Sequence, residues 1–198
     1  MTVVLRLREG VTRHLAIDDW CSPATSTEQD LCADLIGPVL DLGCGPGRMV
    51  VSLSARGVPA LGVDASPNAV RWASANGAPV LCHSVFDPLP GEGRWASVLL
   101  LDGNIGIGGD PVALLMRVRE LLHAHGIAVV EVDPPGSFSA CTTARLERDG
   151  ERTDWFPWAL LAADDVAPLA RQAGLHTIAV RSLDGRWFAT LTRDRAAE

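Results

Sequence analysis

Between Val39 and Arg48 the chain reads VLDLGCGPGR, a strand-like run that enters three glycines within five positions and then a helical stretch. Glycines at 43, 45 and 47 let the backbone turn tightly and approach a ligand that a Cβ would push away. The segment therefore predicts a binding loop between a strand end and a helix start. The sequence on either side of it alternates apolar strands with amphipathic helices, the pattern of a parallel α/β sheet.

Local signals place the remaining elements. A first helix is expected from Thr27 to Ile36, opened by the capping-box spacing of Thr25 and Glu28 and closed by Gly37 and Pro38. Strand one is Val39 to Leu42, and the helix after the glycine loop ends at Gly57. Strand two is Pro59 to Asp64; Ser66 caps the next helix, with Pro67 at its first position and Gly77 at its close. Strand three is Val80 to His83, strand four Ser97 to Asp102, and helix Pro111 to His123 leads to strand five, Ile127 to Val132. Hairpin signals follow at Asp149-Gly150 and Asp184-Gly185. The first predicts an appended hairpin within 137–160. The second joins His176–Leu183 to Arg186–Thr192 after a helix at Asp164–Ala173, closing the sheet with antiparallel pairing. Residues 1–198 read as one domain with 1–37 as an N-terminal extension.

Composition narrows the chemistry. The 198 residues, 47% hydrophobic and 21% charged, suffice for one sizeable core. No stretch approaches the ~20 apolar residues of a membrane span, and the start MTVVLRLREG lacks the apolar segment of a signal peptide, so a cytoplasmic protein off the membrane is expected. Five scattered cysteines support neither a metal site nor a disulfide framework. All 17 positive residues are arginine. Without lysine there is no Walker A phosphate loop, no Schiff base and no kinase lysine. A net charge of −7 argues against nucleic acid, and Arg6, Arg8 and Arg13 read as a solvated face.

The ligand can be argued from two carboxylates. Asp41 lies within the strand end before the glycine loop, and Asp64 ends strand two, where an acidic residue can accept both hydrogen bonds of a ribose diol. A dinucleotide fingerprint GxGxxG from Gly43 would need a small residue at 48, which is Arg, so the register is GxGxG. Asp41 would repel a pyrophosphate but attract the ammonium of a bound amino acid. S-adenosylmethionine, with its ribose, α-ammonium and sulfonium, suits this pair.

The series VLDLGCGPGR, GVDASP, SVFDPLP and VLLLDGN resembles the motif series of class I S-adenosylmethionine-dependent methyltransferases over Val39 to Val132. The resemblance implies a doubly wound, Rossmann-like seven-stranded sheet of order 3-2-1-4-5-7-6, mostly parallel with an antiparallel last strand. It implies that Asp41, Gly43, Cys44 and Gly45 bind the methionine part, that Asp64 binds the ribose, and that Ala65 lies beside the adenine. Asp87, with Val85 and Phe86 packing on the ring, is the favoured adenine contact, and Ser84 competes with it. Asp102, Gly103 and Asn104 should border the methionine group and the transferred methyl. No NPPY-type sequence, the mark of amide- or base-nitrogen methylation, is present.

Several residues have plainer roles. Cys44 reads as a packing residue, and His83, His123 and His125 as strand-edge or helix-end residues. The glycines at 103, 106, 108 and 109 serve a turn or a phosphate cradle. Trp155, Phe156 and Trp158 belong to the core or to a substrate wall; Trp20 staples the first helix or closes over the cofactor; Asp133 is a surface carboxylate or a general base. The leading function is methyl transfer to a small, uncharged or mildly anionic acceptor, S-adenosylhomocysteine being the product. The alternative is a non-methylating subunit of the same fold that binds the cofactor or its product within a protein complex. A protein partner or homo-oligomer is left open. A nicotinamide dehydrogenase ranks third, since the tyrosine and lysine pair of short-chain dehydrogenases is missing.

Overall fold

The computed structural model describes residues 3–15 and 17–193, with the side chains of positions 17 and 18 excepted. Positions 1, 2 and 16 of the expected extension 1–37 therefore lie outside the described residues. Two strands open the chain, β1 (Val3–Leu7) and β2 (Thr12–Leu15), then one turn of helix, α1 (Ile17–Trp20), and α2 (Ser26–Leu31). Next come β3 (Val39–Leu42), α3 (Arg48–Ala55), β4 (Ala60–Asp64), α4 (Pro67–Ala75), β5 (Val80–Cys82) and β6 (Trp95–Leu100). A 3-10 segment at Asn104–Gly109 precedes α5 (Pro111–Leu121) and β7 (Leu122–Val132). The chain finishes with β8 (Ala140–Arg148), β9 (Glu151–Arg152), β10 (Phe156–Leu160), α6 (Val166–Gln172), β11 (Leu175–Leu183) and β12 (Arg186–Arg193).

Seven strands form the main sheet in the order β5-β4-β3-β6-β7-β12-β11. This is the order 3-2-1-4-5-7-6 that the motif series implied, with β12 antiparallel to both neighbours. Strand β3 lies inside the sheet between β4 and β6, and all four of its residues are buried, as a doubly covered parallel strand requires. Leu40 and Leu42 face α5 and α6, packing with Leu114, Leu115 and Ala170. Val39 faces the other way, against Leu31 of α2 and Met49 and Leu53 of α3. By alternation Asp41 shares Val39's side. Among the described residues no helix is long and apolar enough to cross a membrane.

The helix starts follow their capping chemistry. Thr25 and Glu28 form the capping box, Ser66 accepts from the Ala69 N–H, and Asp110 accepts from Val112 and Ala113. Both hairpin turns hold Asp and Gly at positive φ, +50° and +87° at Asp149-Gly150, +47° and +78° at Asp184-Gly185, the signature of a tight primed turn. The first long helix stops at Leu31 instead of reaching Ile36. The Arg56 guanidinium intercepts its C-terminal end, donating to the carbonyls of Cys32 (3.2 Å) and Ala33 (3.1 Å).

A second, antiparallel sheet of order β10-β8-β1-β2, with β9 beside β8, joins the start of the chain to the segment after β7. Leu5 stands opposite Arg13 on one side and Leu146 on the other. Its inner face buries Leu5, Leu7, Ala144 and Leu160, with Phe156 and Trp158 packed alongside. Two joints tie this sheet to the main one. Asp133 exchanges backbone bonds with the segment just after β10, donating to Leu161 (2.8 Å) and accepting from Ala163 (2.9 Å). The Asn104–Gly109 segment lies so close to β10 that a Cβ at Gly106 would stand 2.4 Å from the Ala159 carbonyl oxygen.

Candidate active site

At the carboxyl end of β3 the backbone N–H groups of Gly43 and Cys44 both donate to the Val63 carbonyl (2.8 and 3.1 Å). The Asn104 side chain straps the loop from the other flank, donating to the carbonyls of Leu42 (3.0 Å) and Gly43 (2.9 Å). Gly45, at φ +53°, then turns so that a Cβ would enter open space. Its N–H donates to Asp64 Oδ2 (2.9 Å), while the Ser66 N–H donates to Oδ1 (2.8 Å). Two backbone donors thus fix the Asp64 carboxylate, and each oxygen retains a lone pair.

Asp41 lies underneath, only 3% exposed, and no side chain among the described residues hydrogen-bonds to it. Burial pushes its carboxyl up to about 7; the Arg48 charge opposes this, and the negative charges of Asp102, Asp64 and Glu28 reinforce it. A buried carboxylate of this kind awaits a cation. The open cradle at Gly45, the fixed acceptor Asp64 and the unpartnered Asp41 together fit a nucleoside that carries an ammonium group.

A buried ion network adjoins the loop. Arg48 donates to Glu28 Oε1 (2.6 Å) and to both Asp102 oxygens (2.9 and 2.7 Å). Arg186, at the start of β12, donates to Glu28 (2.9 Å), to both Glu131 oxygens (2.8 and 2.6 Å) and to Asp102 (3.2 Å). Glu131 in turn accepts the Asp102 backbone N–H at 2.6 Å, and Asp102 sits at φ +55°. Burial would raise Glu28, but the hydrogen bonds from Arg48 and Arg186 outweigh it and hold the carboxyl at about 2. Asp102 is shifted upward because its burial exceeds the help from Arg48.

Sequence reasoning identified Glu28 only as a capping residue and Arg48 only as an obstacle to a dinucleotide register; Glu131 and Arg186 it did not single out. A charged residue inside an otherwise apolar strand, such as Glu131 after the run IAVV, is the signal that could have drawn attention to them.

On the adenine side, Ser84 and Asp87 close a turn on themselves: the Ser84 N–H donates to Asp87 Oδ2 (3.0 Å) and the Phe86 N–H to Ser84 Oγ (3.2 Å). Val85 is buried in the main core, and Phe86 is 44% exposed, its ring beside Gly108. Ala65 is exposed next to Asp64. Cys44 is buried against Val50 and Ala73, where burial pushes its thiol up, and it acts as packing. His83 is exposed at the end of β5.

Beyond Asp102 a cavity of about 240 Å³ opens between the two sheets. Gly103 and Glu131 border it on the main-sheet side, Leu5, Leu15 and Leu160 on the small-sheet side, and Trp20 and Trp158 at its flanks. Arg13 and Asp133 meet at its edge in a two-point ion pair (2.7 and 2.8 Å). Arg13, read from the sequence as part of a solvated face, is a wall residue. Of the aromatic trio, Trp158 lines the cavity with Phe156 edge-on behind it (centroids 6.0 Å apart), whereas Trp155 lies outside, under the guanidiniums of Arg8 and Arg145.

Residues 39–126 match a family model described as a methyltransferase domain. A S-adenosylmethionine-dependent methyltransferase from Bacteroides fragilis, solved with S-adenosyl-L-homocysteine, superposes with a TM-score of 0.83 at 18% identity, covering 98% of this chain and 89% of that one. The 1,6-didemethyltoxoflavin-N1-methyltransferase of Burkholderia thailandensis gives 0.67 at 19% identity, covering 90% and 82%. The CcbJ methyltransferase of Streptomyces caelestis gives 0.64 at 20% identity, covering 89% and 92%. No curated protein sequence matches the chain. Residues 39–126 are thus similar to a methyltransferase domain, and the chain has the Rossmann-like fold of the class I S-adenosylmethionine-dependent methyltransferases.

Proposed function

We propose that this chain is an enzyme that transfers the methyl group of S-adenosylmethionine to a small-molecule acceptor, working as a single domain. The observation that carries the reading is the juxtaposition of an unpartnered buried Asp41 with Asp64, whose carboxylate is fixed by the Gly45 and Ser66 N–H groups. Asp64 accepts the two ribose hydroxyls on its remaining lone pairs, and Asp41 balances the α-ammonium. Gly43, Cys44 and Gly45 give backbone to the methionine part. Ala65, Val85, Phe86 and Asp87 make the adenine end, with Phe86 the exposed ring there. Asp102 borders the methyl.

Bound there, S-adenosylmethionine supplies a methyl group on a good sulfonium leaving group. The protein's own task is alignment and exclusion of water, which is worth on the order of 7–11 kcal/mol. The cavity supports a small acceptor, since it begins at Asp102 and Gly103 and ends between Trp20 and Trp158. It also favours catalysis over a scaffold that merely holds the cofactor. Trp158 is the aromatic wall of that site, and Trp155 is not. A nicotinamide dinucleotide fits poorly because its pyrophosphate would face Asp41.

Titration calorimetry tests the proposal. S-adenosylhomocysteine should bind with micromolar or tighter affinity and NAD should not. Asp64→Ala, which removes hydrogen bonds to a charged group worth roughly 1.5–3 kcal/mol, should weaken binding at least tenfold. Formation of S-adenosylhomocysteine with candidate acceptors then identifies the substrate. Absence of S-adenosylhomocysteine binding to the wild type would overturn the reading.

A further inference from the structure

We infer that Arg186 is a positioning residue for the donor site: it neutralises Glu131 so that this carboxylate can hold the Asp102 backbone, and so it sets the methyl-side loop. The inference rests on the methyltransferase reading above. Arg186 belongs to neither the glycine loop nor any motif of the series, and it stands 84 positions beyond Asp102 in the chain. The Asp184-Gly185 turn brings it back across the sheet, where β12 pairs with β7 and Trp187 faces Val132.

The geometry assigns the role. Asp102 carries φ +55°, a left-handed conformation that Asp enters more readily than most residues but still at a cost, which its surroundings offset. Three groups hold it there: Glu131 takes the backbone N–H at 2.6 Å, Arg48 grips both carboxylate oxygens, and Arg186 touches one of them. Glu131 could not stand beside Asp102 unpaired, for two carboxylates in a half-dry cleft repel one another. Arg186 meets both Glu131 oxygens and also reaches Glu28, so one planar guanidinium serves three carboxylates from three elements. Glu131 and Asp102 also line the acceptor cavity, while Arg48 and Glu28 flank the glycine loop. The network is the partition between the two sites, and Arg186 is its only member from the last hairpin.

The test compares S-adenosylhomocysteine affinity by calorimetry in the wild type, Arg186→Met, Arg186→Lys, the double variant Arg186→Met with Glu131→Gln, and Arg181→Met as a control on the exposed strand β11. Circular dichroism checks folding. Arg186→Met should bind at least roughly tenfold more weakly, and the control should match the wild type. In the double variant a neutral glutamine carbonyl can take the Asp102 N–H without needing a counter-charge, so affinity should return to within about threefold of wild type. That recovery is the result a merely structural arginine would not give. Arg186→Lys, whose single ammonium cannot serve three partners, should lie between. If Arg186→Met does not fold, Arg186→Lys decides: wild-type affinity in it overturns the inference. Wild-type affinity in a folded Arg186→Met, or a double variant as weak as the single one, overturns it as well. A wild type that does not bind S-adenosylhomocysteine brings down the functional reading instead, and this inference with it.

Discussion

Replacing Asp41 by asparagine should make the protein more stable at pH 8 and worse at holding its cofactor. Asp41 is buried at the centre of the main sheet, and burial raises its carboxyl from 3.8 to about 7. A raised acid is protonated in the folded state over a range where the unfolded chain is already ionised. Its contribution is therefore intact below pH 4 and is lost as pH rises through about 7. Three pH units at 1.36 kcal/mol each amount to about 4 kcal/mol of lost stability above pH 7. Asparagine avoids that charge but must still bury an amide, at about 1–2 kcal/mol, so the gain at pH 8 should be about 2–3 kcal/mol. Urea unfolding of both proteins at pH 5 and pH 8 measures the difference, and groups common to the two cancel. The variant should gain on the wild type between the two pH values and bind S-adenosylhomocysteine at least tenfold more weakly. In the wild type the cofactor ammonium needs the ionised carboxylate, so its Kd should rise about tenfold per unit as pH falls below 7. A stability difference independent of pH would refute the argument that Asp41 is a buried charge awaiting a cation.

Three further outcomes are expected. Gly45→Val meets no neighbouring atom but forces a branched residue to φ +53°, so it should fold with a loss of about 1–2 kcal/mol while calorimetry detects no cofactor binding. Glu28→Gln removes the charge shared by Arg48 and Arg186 and should cost about 3 kcal/mol at pH 7; the wild-type advantage, present above pH 4.5, should fade as pH drops towards 2, as acid unfolding curves would record. Gly106→Ala drives a Cβ into the Ala159 carbonyl, which cannot swing away, so it should lower the melting temperature and part the small sheet from the Asn104–Gly109 segment, read as faster hydrogen exchange in β10.

The main sheet was legible because its signals are local. Apolar runs, helix caps and Asp-Gly turns each act within a few residues, and the strand order came with the motif series. Asp64 and the glycine loop stood out for the same reason. The small sheet was not legible, since β1 finds its partner in β8 about 140 residues away and nothing in VVLRL names that partner. The network at Asp102 escaped for a related cause. Glu28 satisfies a capping box through the Thr25 N–H and two arginines through the same carboxylate, and only the first of these duties is written in neighbouring residues. Trp155 and Trp158 are equally apolar in sequence; the ladder of β10 against β8, which pairs Trp158 with Thr142, decides which of them reaches the cavity.

That ladder has a consequence for how such a chain can change its diet over generations. Along β1 the inward residues are Val3, Leu5 and Leu7, and of these only Leu5 borders the cavity between the two sheets. A slip of two residues keeps inward side chains inward, because the strand repeats with period two. In the direction that brings Val3 to the place of Leu5 it would widen the cavity by about a methylene. The main sheet at β3 and the glycine loop would not register the event. Sliding one short strand can thus reshape the cavity between the sheets, while the glycine loop and Asp64 stay as they are.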